Sequence, residues 1–201
     1  MRNLFAILVL AIGLVLGPAA HAATLVDTGP GNTDVNGALA LFNTTSTDDN
    51  FQFLAGEFTV AAPFTISSME AWVAISTPGP VLVRISSDGG DVPGDELFAG
   101  IFNSGADSSP HWELFDVDGL NWSLPAGTYW VALEPFDGGL EGAMPDGAPN
   151  RLANYAFNAG GNGGWLNPTL FGDQRSLGFR INGEATALPG HFLCYKAKTT
   201  P

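Results

Sequence analysis

The sequence predicts an all-β protein, a two-sheet antiparallel β-sandwich of jelly-roll-like form, on three observations. From residue 23 onward the apolar residues alternate or run in short blocks, with no stretch of helical period. The 26 glycines and 14 prolines, with Asn and Asp beside them, cut those blocks at the intervals of a strand-and-turn fold. Apolar residues make up 45% of the chain, enough to fill a core, so the acidic composition does not signal disorder.

In chain order, the first element is a leader. "MRNLFAILVLAIGLVLGPAAHA" carries one basic residue, Arg2, an apolar stretch from Leu4 to Leu16, a Gly-Pro break and the ending Ala20-His21-Ala22. This is the three-part pattern of a secretory signal peptide, expected to be cleaved after Ala22. Its apolar run falls short of the roughly 20 residues that span a bilayer. No cysteine follows it, so lipid modification of the new N-terminus is not expected. The boundaries that follow are signal peptide 1–22, β-sandwich domain 23–184 and irregular tail 185–201.

Strands are expected near 37–43, 51–60, 64–75, 80–86, 95–102, 111–117, 119–124, 127–135, 151–157 and 176–182. In "VLVRIS", Val81, Val83 and Ile85 share one face and Leu82, Arg84 and Ser86 the other. In "GTYWVALE", Tyr129, Val131 and Leu133 oppose Trp130, Ala132 and Glu134. In "LNWSL", Leu120, Trp122 and Leu124 lie together, and the Pro125-Ala126-Gly127 turn leads into the next strand. Each segment can line a core on one face and meet solvent on the other. The stretch 135–149 has no strand character, and "NAGGNGGW" at 158–165 reads as a flexible glycine loop. That loop has neither the P-loop spacing nor its lysine.

Charge and cysteine usage narrow the function. All 20 acidic residues follow Ala22, against six of the seven basic ones, so the mature chain carries a formal charge of −14. Such a surface repels nucleic acid and anionic lipid. With Cys194 as the one thiol, no internal disulfide can form, and packing alone must hold the fold.

Chemistry-bearing residues are few. "SSDGGDVPGD" places Asp88, Asp91 and Asp95 in a glycine-rich turn between two strands; a structural turn is the expected role, with a calcium site as the alternative, although the spacing fits neither an EF-hand nor a nonapeptide repeat. Glycosidase chemistry needs two carboxylates across a cleft. Glu57, Glu70, Glu113 and Glu134 lie within expected strands and are the acids considered for that role, and Glu134 shares a face with Trp130. His111 is the single histidine of the domain, beside Pro110 and Trp112, and is read as a surface residue; no G-x-S-x-G motif accompanies it. Among the tryptophans, Trp112, Trp130 and Trp165 are the candidates for stacking on a sugar, Trp165 foremost because it sits in the glycine loop.

The segments "LAGEFTV", "FTISSMEAWV", "VLVRISSDGGDVPGDELFAG", "WSLPAGTYWVAL" and "LGFRINGEA", in that order over about residues 50–184, resemble the exported domains of PEP-CTERM and related choice-of-anchor bacterial proteins. The firmest elements are the D-G-G-x-x-P-G turn at Asp88–Gly94 and the P-A-G-T-Y-W strand at Pro125–Trp130. The resemblance implies a secreted β-sandwich of the cell surface or extracellular matrix in exopolysaccharide-producing bacteria, with no assigned catalytic residues. This chain departs from it after the last strand: "TALPGHFLCYKAKTTP" carries neither the Pro-Glu-Pro motif nor an apolar helix, so no stable membrane anchor is expected. The expectation is therefore a secreted, non-enzymatic envelope or matrix protein with no required cofactor, whose partners are extracellular polysaccharide or other envelope proteins and not nucleic acid. The alternative is a lectin-like carbohydrate-binding module, with or without calcium.

Overall fold

The computed structural model describes residues 23–34, 37–43, 50–115, 120–136, 138, 140–161 and 163–186. Residues 1–22, expected to be a signal peptide, and residues 187–201 of the expected tail, with Cys194, lie outside them.

Strand formation follows the alternation closely. The strands are β1 (Ala23–Asp27), β2 (Leu39–Asn43), β3 (Phe51–Val60), β4 (Phe64–Thr77), β5 (Pro80–Asp88), β6 (Pro93–Asn103), β7 (Asp107–Phe115), β8 (Trp122–Leu124), β9 (Gly127–Pro135), β10 (Glu141–Met144), β11 (Tyr155–Ala159) and β12 (Phe179–Ala185). A single 3-10 turn, Pro168–Phe171, interrupts the β pattern among the described residues. Its start is capped by the Asn167 side chain, which accepts from the Thr169 amide.

The strands join in one antiparallel hydrogen-bonded path, β1-β12-β4-β10-β2-β3-β9-β5-β6, with β11 added on β3 and with β7 and β8 on β4. The class is all-β, as expected. The path is continuous, however, so the strands curl over the core as one ladder whose two halves are linked through β10 and β2. The alternating residues Val81, Val83 and Ile85 of β5, Tyr129, Val131 and Leu133 of β9, and Leu54, Phe58 and Val60 of β3 point into that core. They meet Ile66, Met69, Val73 and Ile75 of β4 and Phe179 and Ile181 of β12. Each fully buried aliphatic side chain of this kind contributes about 1.5–3 kcal/mol. Between β6 and the strands paired with β4, Phe98 stacks on Trp122 with centroids 5.5 Å apart, and Phe102 meets Phe115 edge-on at 5.7 Å.

β4 shows how register is adjusted. Its buried residues step by two from Phe64 to Ile66, then skip to Met69, Ala71, Val73 and Ile75. The extra residue corresponds to a register shift against β12, where Asn182 pairs with Ser68 but Gly183 with Ile66. A bulge there keeps both halves of a fourteen-residue strand facing the core.

Several elements differ from the sequence expectation: β7 begins at Asp107 and β12 runs Phe179–Ala185, against the expected 111–117 and 176–182, and three others differ more in kind. β10 lies within 135–149, which has no strand character of its own, because Glu141–Met144 is clamped by hydrogen bonding to β2 on one side and β4 on the other. β1 forms by adding to β12, a pairing with no local signal. The strand expected at 151–157 begins only at Tyr155.

Candidate functional site

The outward face of β5, β9, β3 and β11 carries several of the residues singled out in the sequence. Trp130, Ala132 and Glu134 alternate away from the main core, but they do not reach solvent. Ala55, Trp130, Ala132 and Ala156 form a second buried cluster against which Trp165 packs. Trp130 is 0% exposed, which removes it as a stacking platform for a sugar. Trp165 is half-buried on that cluster, not projecting from a free loop.

The same arrangement explains "SSDGGDVPGD". Asp88 Oδ1 accepts from the amides of Gly90 at 3.1 Å and Asp91 at 3.2 Å, the geometry of a side-chain-closed turn. It also accepts the indole N–H of Trp130 at 3.3 Å. Asp91 takes a left-handed φ of 72°, and its carbonyl accepts the Asn167 side-chain amide at 2.7 Å. Ser87 Oγ accepts the Asp95 amide at 3.0 Å. The turn is thus tied below to a core tryptophan and laterally to the capping residue of the 3-10 turn. Among the described residues, no three His, Cys, Asp or Glu side chains gather as a metal-binding group.

Glu134 was expected to face solvent from its strand, and the structure corrects this: it is buried and ion-paired. Arg84 Nη2 lies 3.0 Å from Glu134 Oε2, and Arg84 Nε 3.2 Å from Glu96 Oε2. Burial pushes the Glu134 carboxyl above the usual range, Arg84 pulls it back down, and Glu96 raises it further. Glu134 Oε1 has no hydrogen-bond partner. A carboxyl with a raised pKa resembles a general acid, but Glu134 lines none of the clefts described below.

The remaining candidates lie on β4, β7 and β3. Trp112 is half-buried, pairs across the strands with Trp72 at 5.4 Å and has the Arg180 guanidinium 3.9 Å over its ring. One ring face is therefore already occupied by a cation. His111 is fixed by the Ser109 carbonyl and by Glu113, each at 3.0 Å. Burial lowers its pKa, but those contacts and the nearby Asp107 carboxylate outweigh this and raise it. Glu57 Oε2 accepts the Asn154 amide, and Glu70 lies 3.5 Å from Arg180.

Sequence reasoning passed over a cleft formed by the loop before β11 and the 3-10 turn. Arg151, Leu152, Asn154, Tyr155, Gln174 and Arg175 enclose a cavity of about 140 Å³. A second cavity of about 250 Å³ adjoins it through Arg151, Leu152 and Ala153 and reaches Asp27, Glu57 and Asn150. The polar groups of the first cavity are fixed from behind: the Tyr155 hydroxyl donates to Asp173 at 2.8 Å, and Arg175 is held by Asp173 at 3.3 Å and Asp146 at 3.7 Å. Burial and Asp173 keep the Tyr155 phenol protonated far above its ordinary range. The signal that could have found the cleft is compositional, since Arg151 and Arg175 are two of only four basic residues between 23 and 186.

No family model matches the chain, and no curated protein matches it.

Proposed function

We propose that this is an exported, non-enzymatic β-domain of the bacterial cell envelope or extracellular matrix, acting by binding or as a structural element. The observation that carries this is how its chemistry-bearing side chains are used: Glu134 is engaged by Arg84, and Asp88 by its own turn and Trp130. They stiffen a scaffold and do not converge on a shared space where a substrate would sit. The leader-like N-terminus and the acidic mature chain support an extracellular setting. Carbohydrate binding is the second reading. It is favoured by the cleft around Arg151, whose amide and guanidinium groups suit hydroxyl-rich ligands better than the tryptophans do.

The test is expression of the full chain in a Gram-negative host, with cell fractionation, intact mass and incubation with a panel of polysaccharides and chromogenic glycosides. The reading expects the protein outside the cytoplasm, beginning at Ala23, with no turnover. Turnover that disappears in Glu134→Gln would replace it with a hydrolase.

A further inference from the structure

We propose that the Arg151 cleft is a binding site for a carboxylate-bearing, hydroxyl-rich ligand of the sugar-acid class. Three of the four arginines among the described residues are paired with acids: Arg84 with Glu96 and Glu134, Arg175 with Asp146 and Asp173, and Arg180 with Asp27 and Glu70. Arg151 is the fourth, and among the described residues it has no carboxylate partner; it donates a hydrogen bond from Nη1 to Gln174 Oε1 at 2.5 Å. In a chain with 20 acidic residues and seven basic ones, a cation without an acid partner inside a cleft is the exception.

None of the neighbouring acids is paired with it among the described residues; each has another partner. Glu57 holds Asn154, Asp173 holds Tyr155 and Arg175, and Asp146 holds Arg175 and the amides of Gly147 and Ser176. A guanidinium has five N–H donors in a planar fork that matches a carboxylate in bidentate fashion, and the contact with Gln174 uses one side of that fork. The cavity of about 140 Å³ gives the carboxylate its place. The adjoining cavity, with Asn150, Glu57 and Asp27 on its wall, offers donors and acceptors for ring hydroxyls. The surrounding negative charge opposes approach of any anion, so specificity rests on this local fork and not on long-range attraction.

The inference deepens the binding half of the proposed function and rests on it. Its experiment is separate from the localisation test: an extracellular protein that fails to bind would remove this inference and leave that reading standing. Purified full-length protein is titrated with glucuronate, with glucose, with acetate and with oligogalacturonate, followed by amide chemical shifts. Expected are saturable shifts at residues 151–155 and 174–175 with glucuronate at millimolar concentration, none with glucose, and a Kd at least about tenfold weaker in Arg151→Gln, which removes the charged fork. Arg151→Lys, which keeps the charge but not the fork, should recover only part of the affinity. Arg151 is exposed, so both variants should melt with the wild type, and the wild-type titrations stand without them. Tighter binding of the oligomer than of glucuronate would make a polymer the source of the ligand; equal affinity would make it the free sugar acid. Absence of shifts with both acids, equal shifts with glucose, acetate binding as tightly as glucuronate, or unchanged affinity in Arg151→Gln would each overturn the proposal.

Discussion

Replacing Asp88 with alanine tests whether the acidic turn is a structural lock. The side chain's Oδ1 accepts from Gly90, Asp91 and the indole of Trp130. The first two donors lie at an exposed turn, where water replaces most of what is lost, at about 0.5 kcal/mol each. The indole belongs to a residue with no exposed surface, and leaving its N–H unpaired costs about 1–3 kcal/mol. The variant is therefore expected to lose about 2–4 kcal/mol, which for a domain of this length lowers Tm by about 5–15 °C. Asp88→Asn keeps the acceptor oxygen and should lose less than about 1 kcal/mol. The assay is urea unfolding followed by tryptophan fluorescence, with thermal melts alongside. A change within about 0.5 kcal/mol for Asp88→Ala, the range of ordinary surface substitutions, would refute the lock.

Two further outcomes follow from the same packing. Arg84→Met strands the buried Glu134 carboxylate; since Arg84 is 28% exposed, the loss at pH 7 is expected near 2–4 kcal/mol, somewhat under that of a fully buried pair. Glu134 already has a raised pKa in the fold, so its contribution is fully present below the unfolded value of 4.5 and is lost as pH rises through the folded value. Removing Arg84 raises the folded value further. The variant's deficit in urea midpoint should therefore be larger at pH 7 than at pH 4, and a deficit independent of pH would contradict this. Gly183→Ala meets the β4 bulge: a Cβ there would lie 1.9 Å from the Thr65 carbonyl oxygen and 2.7 Å from Phe64 Cε1. With backbone as the obstacle, the cost is expected at about 1–3 kcal/mol in chemical unfolding, and an unchanged midpoint would show that the bulge yields freely.

How much of this was legible in the sequence differs by residue. The inward sets Val81, Val83, Ile85 and Tyr129, Val131, Leu133 follow from period-two alternation alone and are buried as read. Alternation also assigns Trp130 and Glu134 to the other face, correctly, but it cannot say whether that face is covered. Over Trp130 the covering group is Trp165, from a glycine-rich segment with no periodic signal of its own, and over Glu134 it is the Arg84–Glu96 pair. The turn at Asp88 was readable as a turn because its glycines and aspartates state their conformations locally; its bond to Trp130 is non-local and was not. β10 owes its existence to two neighbours, and Arg151 its place in a cleft to a 3-10 turn that starts at Pro168. Both are tertiary outcomes that no short window contains.

The central claim is that the acidic turn serves the fold, while ligand binding belongs to the Arg151 cleft. The most direct measurement is a calcium titration of the purified protein that follows the Trp130 indole N–H resonance. The account predicts no saturable shift up to about 10 mM calcium, above the range at which extracellular calcium modules fill, because Asp88 Oδ1 is already taken by N–H donors. A saturable shift of that resonance, accompanied by a rise in Tm that a chelator reverses, would make the turn a metal site and contradict the account.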